Sequence, residues 1–65
     1  MGRNDMIDVE DLEFRREAGA AIIVEYDGEE ISLPVSQIEW PEDATRGKLI
    51  TVTMPEWLAE DRRII

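Results

Sequence analysis

The stretch Ala20-Ala21-Ile22-Ile23-Val24-Glu25-Tyr26-Asp27-Gly28-Glu29-Glu30-Ile31-Ser32-Leu33-Pro34-Val35 decides the fold. Two β-type runs flank an Asp-Gly pair, and both central residues tolerate the positive φ of a type I′ turn, whose twist matches that of paired strands. The first arm, Ala20 to Tyr26, is apolar in both phases. Ile22, Val24 and Tyr26 share one face, while Ala21 and Ile23 share the other, which predicts a central strand covered on both sides. The return arm alternates, with Ile31, Leu33 and Val35 inward and Glu30 and Ser32 outward. Pro34 has no N–H to donate, so this arm is expected to end there or to lie at a sheet edge.

Toward the N-terminus, Glu17-Ala18-Gly19 reads as a turn. Before it, Ile7 and Val9 follow one alternation phase, whereas Leu12 and Phe14 follow the other. Helical spacing fits these positions poorly. The expectation is a strand centred on Leu12–Arg16 with a bulge or bend near Glu10-Asp11 where the phase slips. A short N-terminal helix is the alternative. Residues 1–5 are polar and expected to be loose.

Toward the C-terminus, Ser36-Gln37-Ile38 suits a single tight turn that returns Ile38 to the core. Trp40 precedes Pro41 and is therefore biased to extended backbone. From Pro41 to Gly47 only Ala44 is apolar, which marks a loop. Lys48 to Met54 reads as a strand, with Ile50, Val52 and Met54 alternating with threonines. Pro55 to Arg63 has the layout of a short helix, with proline at the first helical position, Glu56 in the first turn and Arg62 and Arg63 closing the last. Two turns of helix do not persist alone in water, so Trp57 and Leu58 are expected to anchor it on the sheet. Ile64 and Ile65 would either close the core as a clasp or form half of a dimer contact. The fold class expected is a small α+β domain over residues 1–65, a four-stranded, mostly antiparallel sheet built on a central hairpin with one short C-terminal helix. A small SH3-like barrel, its helix reduced to a plug, is the alternative.

A chain of 65 residues has room for one small core and carries neither cysteine nor histidine, so disulfide staples and a Cys/His zinc site are excluded. No run approaches the length of a membrane span, and the first residues lack the apolar core of a signal peptide, which points to a cytoplasmic protein. The formal net charge is −9, and it is unevenly placed. Residues 17–45 contain no Lys or Arg against Glu17, Glu25, Asp27, Glu29, Glu30, Glu39, Glu42 and Asp43. Such a field disfavours direct contact with nucleic acid or an anionic membrane and favours a basic protein surface.

Enzymatic chemistry finds little to work with. Nucleophilic catalysis needs a nucleophile beside a base, and the serines and threonines here have no histidine to activate them. The four glycines are scattered singly, so no phosphate-cradling loop is present. The Glu29/Glu30 and Glu42/Asp43 pairs offer carboxylates of the kind used for acid/base work or metal ligation, but Asp27-Gly28-Glu29-Glu30 is too short for a calcium loop, and turn chemistry with a solvated edge accounts for the acidic residues. No cofactor, metal or catalytic residue is expected. Tryptophan is enriched at binding hot spots, and Trp40, in a polar loop, is the better interface candidate than Trp57.

The Asp27-Gly28-Glu29-Glu30 turn, the segment Leu33-Pro34-Val35-Ser36-Gln37-Ile38 and the ending Val52-Thr53-Met54-Pro55-Glu56-Trp57-Leu58-Ala59 resemble small uncharacterised proteins encoded by phages and prophages. The resemblance covers about residues 12–60, and its motifs are structural. Small acidic phage proteins include many anti-CRISPR proteins, some of which mimic nucleic acid. The resemblance thus implies a phage-encoded inhibitor that binds a basic surface of a host defence complex, such as a CRISPR effector subunit, in the bacterial cytoplasm. The residues expected at that contact are Glu25, Asp27, Glu29, Glu30, Glu39, Trp40, Glu42 and Asp43, on a monomer or homodimer. Two other readings stand beside it: an accessory module of a phage replication or recombination region, and a structural dimer joined through its C-terminal isoleucines.

Overall fold

The computed structural model describes residues 5–65. Strand β1 spans Met6–Ala18, β2 Ala21–Tyr26, β3 Glu29–Pro34 and β4 Leu49–Pro55, and one helix, α1, follows at Glu56–Asp61. The strands form a single sheet in the order β3-β2-β1-β4, and every neighbouring pair is antiparallel. The outermost strands β3 and β4 do not pair with each other, so the sheet is open and the SH3-like barrel is not formed. Most of residues 1–5, expected to be loose, lie outside the described residues. Asp5 itself is held, its carbonyl accepting the Glu56 N–H at 2.8 Å.

The Asp-Gly turn adopts the expected geometry, with φ of 52° at Asp27 and 82° at Gly28. The hairpin it closes occupies one side of the sheet, with β3 at the edge and β2 inside it. Strand β2 is paired on both flanks along its length, with β1 and with β3, whereas β1 pairs with β4 through its first half and with β2 through its second. The phase slip in β1 is resolved by a bulge between Val9 and Leu12, opposite a single residue of β4. Asp11 supplies the left-handed backbone there, with φ 64°. The extra residue lets Ile7, Val9, Leu12 and Phe14 all reach one face, and no N-terminal helix forms. A second bulge falls between Phe14 and Arg16 against β2.

That shared face carries the core. Leu12, Ile22, Val24, Leu33, Val52, Met54 and Leu58 are fully buried, and Phe14, Ile31, Ile38 and Ile50 join them. A single 3₁₀ turn at Val35–Gln37 returns Ile38 inward, as expected. The other face of the sheet has no comparable cover. Ala21 and Ile23 are half-buried and Glu30, Ser32 and Thr51 exposed, which corrects the expectation of a β2 strand covered on both sides. A one-layer sheet needs only one apolar face, and the second apolar phase of β2 is too short to recruit another layer.

The helix is shorter than its sequence layout suggests. Pro55 has extended backbone (φ −63°, ψ 145°) and is the N-cap, so it ends β4 instead of beginning α1. Neither arginine lies within the last turn. Arg62 is the C-cap and Arg63 takes left-handed backbone at φ 60°. The N–H of Arg63 then donates to the Glu60 carbonyl (3.0 Å) and that of Ile64 to the Ala59 carbonyl (2.9 Å). These two bonds make a Schellman motif, usually closed by glycine, and they turn Ile64 back onto Ala59. Ile64 is buried while Ile65 is 62 % exposed, so the clasp is made by Ile64 alone. No described helix is long and apolar enough to cross a membrane.

Candidate functional site

The sheet register assembles charge that the linear sequence keeps apart. On the uncovered face, Glu13 of β1 lies opposite Glu25 of β2, and Glu25 opposite Glu30 of β3. All three point away from the core, because their neighbours Leu12, Phe14, Val24 and Ile31 point into it. Side chains directly opposite on adjacent strands stand about 4.5–5.5 Å apart at Cβ, and like charges so placed repel. The result is a row of three carboxylates running across the strands.

The second bulge of β1 supplies the compensation. It places Arg15 over the row, where its guanidinium pairs with Glu25 and lies 3.3 Å from Glu13. The three side chains are one quarter to one third exposed, at 25 % for Arg15, 33 % for Glu13 and 30 % for Glu25. One cation therefore serves two carboxylates, and its Nε is buried with no hydrogen-bond partner. Glu30, at the end of the row, is exposed. Asp27 and Glu29 extend the acidic surface around the hairpin tip, both exposed.

The remaining expected contact residues lie elsewhere. Glu39 forms an isolated bridge with Thr53 on the outer flank of β4, through backbone bonds of 2.8 and 2.9 Å, with an exposed side chain. Glu42 and Asp43 sit in the exposed turn beyond it, and Asp43 pairs with Lys48 at 3.3 Å. Since β3 and β4 are opposite edges, the hairpin carboxylates and the loop carboxylates are separated by the width of the sheet, about 14 Å for three strand spacings. The eight expected residues thus divide into two groups.

Trp40 belongs to the covered side of the molecule. It is half-buried against the core and stacks on Phe14, with ring centroids 5.7 Å apart and planes 13° from parallel. Trp57 is likewise half-buried against the core, so exposure does not favour Trp40 over Trp57 as an anchor.

A pocket of about 160 Å³ opens beside the hairpin tip, lined by Tyr26, Asp27, Glu29, Ile31, Arg62 and Arg63. Arg62 reaches from the end of α1 to β3, its Nε donating to the Ser32 carbonyl at 2.8 Å, and it also pairs with Asp61. Sequence reasoning missed Glu13, Arg15 and Arg62 as members of this surface. For Glu13 and Arg15 the signal was parity relative to Phe14. For Arg62 there was none, because its contact spans 30 positions of the chain. Among the described residues no group of three His, Cys, Asp or Glu side chains is arranged to hold a metal ion. No family model, curated protein or solved structure matches the chain.

Proposed function

We propose that this chain is a small acidic protein that acts by binding, and that it blocks a basic nucleic-acid-binding surface of a host defence complex in the bacterial cytoplasm, as phage-encoded inhibitors of the anti-CRISPR type do. One observation carries the reading: the carboxylate row Glu13–Glu25–Glu30 lies on an uncovered sheet face, with Asp27 and Glu29 adding exposed charge at the hairpin tip beside it. A flat array of negative charge suits a surface built for phosphates, and complementary charge speeds encounter and makes it salt-sensitive. The division of the acidic residues narrows the contact to Glu25, Asp27, Glu29 and Glu30. Glu39, Trp40, Glu42 and Asp43 then form a separate region with a minor share in binding. Activity by binding also suits a sequence without cysteine or histidine.

The experiment is capture from a lysate of CRISPR-bearing bacteria on immobilised protein, washed at low and then high salt. A nucleic-acid-binding complex should be retained, released by salt, and unable to bind its nucleic acid while captured. Neutralising Glu25, Asp27, Glu29 and Glu30 together should abolish retention, whereas neutralising Glu39, Glu42 and Asp43 should weaken it slightly. Equal losses from the two sets, or retention that survives high salt, would remove the hairpin face from the argument.

A further inference from the structure

A sheet with two edges has two places where another strand can add, and the two edges here are not alike. That of β4 is already occupied in part, because Glu39 exchanges backbone hydrogen bonds with Thr53. That of β3 is not. In a hairpin closed by a two-residue turn, Tyr26 and Glu29 form the hydrogen-bonded pair next to the turn, and the bonding then alternates along the strands. Glu30, Ser32 and Pro34 therefore direct their backbone groups away from β2. Two observations agree with this alternation: the Ser32 carbonyl accepts a bond from Arg62 outside the sheet, and Pro34, which has no N–H to offer, stands at an edge-facing position. The Glu30 N–H and carbonyl and the Ser32 N–H are left at a free edge.

We propose that the free edge of β3 accepts an extended segment of the partner as a fifth strand, with a lysine or arginine opposite Glu30 and an apolar side chain opposite Ile31. The basic character of that segment rests on the function proposed above; the edge and its register are independent of it. Charge complementarity selects the occupant. The row Glu13–Glu25–Glu30 runs straight toward this edge, Arg15 offsets its first two members, and the next position along it belongs to the added strand. A cation there faces Glu30, whereas a second copy of this chain would bring a further carboxylate-rich strand to the same place. The residue opposite Ile31 points to the core side, where Tyr26 and Ile31 form the apolar part of a pocket whose remaining lining is Asp27, Glu29, Arg62 and Arg63. Main-chain bonds hold such a strand, and alternate side chains give it specificity. Arg62 must first leave the Ser32 carbonyl, so it acts as a guard on the edge.

The test uses the full chain and three probes: a seven-residue peptide alternating valine and lysine, its valine–glutamate counterpart, and poly-lysine. Amide hydrogen exchange is followed residue by residue at low salt. The valine–lysine peptide should slow exchange at Glu30 and Ser32 by roughly tenfold or more, as expected for amides newly engaged in a ladder, while the glutamate peptide leaves it unchanged. Ser32→Pro, at an edge position like that of Pro34, keeps every charge and should abolish peptide binding. Arg62→Ala frees the carbonyl and should tighten binding about three- to tenfold, the value of one hydrogen bond. Binding of the valine–lysine peptide with unchanged exchange at Glu30 and Ser32 overturns the proposal, as does Ser32→Pro binding like the parent protein. If poly-lysine binds and the extended peptide does not, strand addition fails and the acidic-face reading survives. If neither binds, both fall.

Discussion

Replacing Arg15 by methionine keeps most of the aliphatic stem and removes the one cation that sits over the carboxylate row. Two partly exposed ion pairs are lost, to Glu13 and Glu25, each worth about 0.2–1 kcal/mol in such settings. The two carboxylates, opposite each other in register, then repel without compensation, at a further cost of about 0.2–1 kcal/mol. Against this, methionine relieves the buried Nε of its missing partner. The losses sum to about 0.6–3 kcal/mol, and after that relief the net destabilisation should be at most about 2 kcal/mol. For a domain of this size, each kcal/mol lost lowers Tm by about 4–8 °C. Thermal unfolding followed by circular dichroism at low salt reads the loss directly. In 1 M salt, where screening acts over about 3 Å, most of the difference should vanish. Adding Glu25→Gln to the Arg15→Met background should restore part of the stability, although Glu25→Gln alone destabilises. A loss of equal size at both salt concentrations, or strictly additive effects of the two substitutions, would refute the account of Arg15 as the neutraliser of the row.

Three further outcomes follow from the packing. Ile64→Ala should cost about 2–4 kcal/mol because the side chain is buried, whereas Ile65→Ala, at an exposed position, should stay within about 0.5 kcal/mol in chemical denaturation. Arg63→Gly should raise stability by about 0.5–1 kcal/mol, since glycine takes the left-handed Schellman position without the Cβ penalty; an unchanged or lower denaturation midpoint would count against strain at that residue. Trp40→Ala should destabilise by about 2 kcal/mol through loss of its stack on Phe14, and a variant of unchanged stability would return Trp40 to the role of a surface anchor.

The candidate site shows where a one-dimensional reading runs out. Its hairpin half was legible: Asp27-Gly28 dictates the turn, the turn dictates the Glu25–Glu30 and Tyr26–Glu29 pairings, and alternation sends Glu25 and Glu30 outward. The separation of Glu39, Glu42 and Asp43 from them was not legible, because proximity in sequence to Trp40 says nothing about which edge a loop returns to. The chain crosses beneath the sheet at Ile38 and emerges beside β4. The short helix misled for a related reason. Arg62 and Arg63 suit a last helical turn by the macrodipole rule, but burial of Ile64 against Ala59 is a larger effect, and it ends the helix before them.

What the sequence by itself determined is the local grammar: the Asp-Gly turn, the phase slip that demands a bulge at Glu10-Asp11, the alternation in β3 and β4, and the acidic balance of residues 17–45. These follow from backbone φ preferences and from the two-residue period of a strand, which act between near neighbours. The second bulge is not among them. Glu17-Ala18-Gly19 reads as the turn, whereas Glu17 and Ala18 end β1 and the turn falls at Gly19-Ala20, a register in which only one extra residue brings Phe14 opposite Val24 on the core face. Tertiary structure alone decided that β1 lies beside β2 and puts β3 at the edge, that one face stays uncovered, and that Arg15 and Arg62 meet partners ten and thirty positions away. Those outcomes depend on strand order, which is set by burying fourteen side chains in one shared core. Burial of that kind is a property of the whole assembly, and no window of sequence contains it.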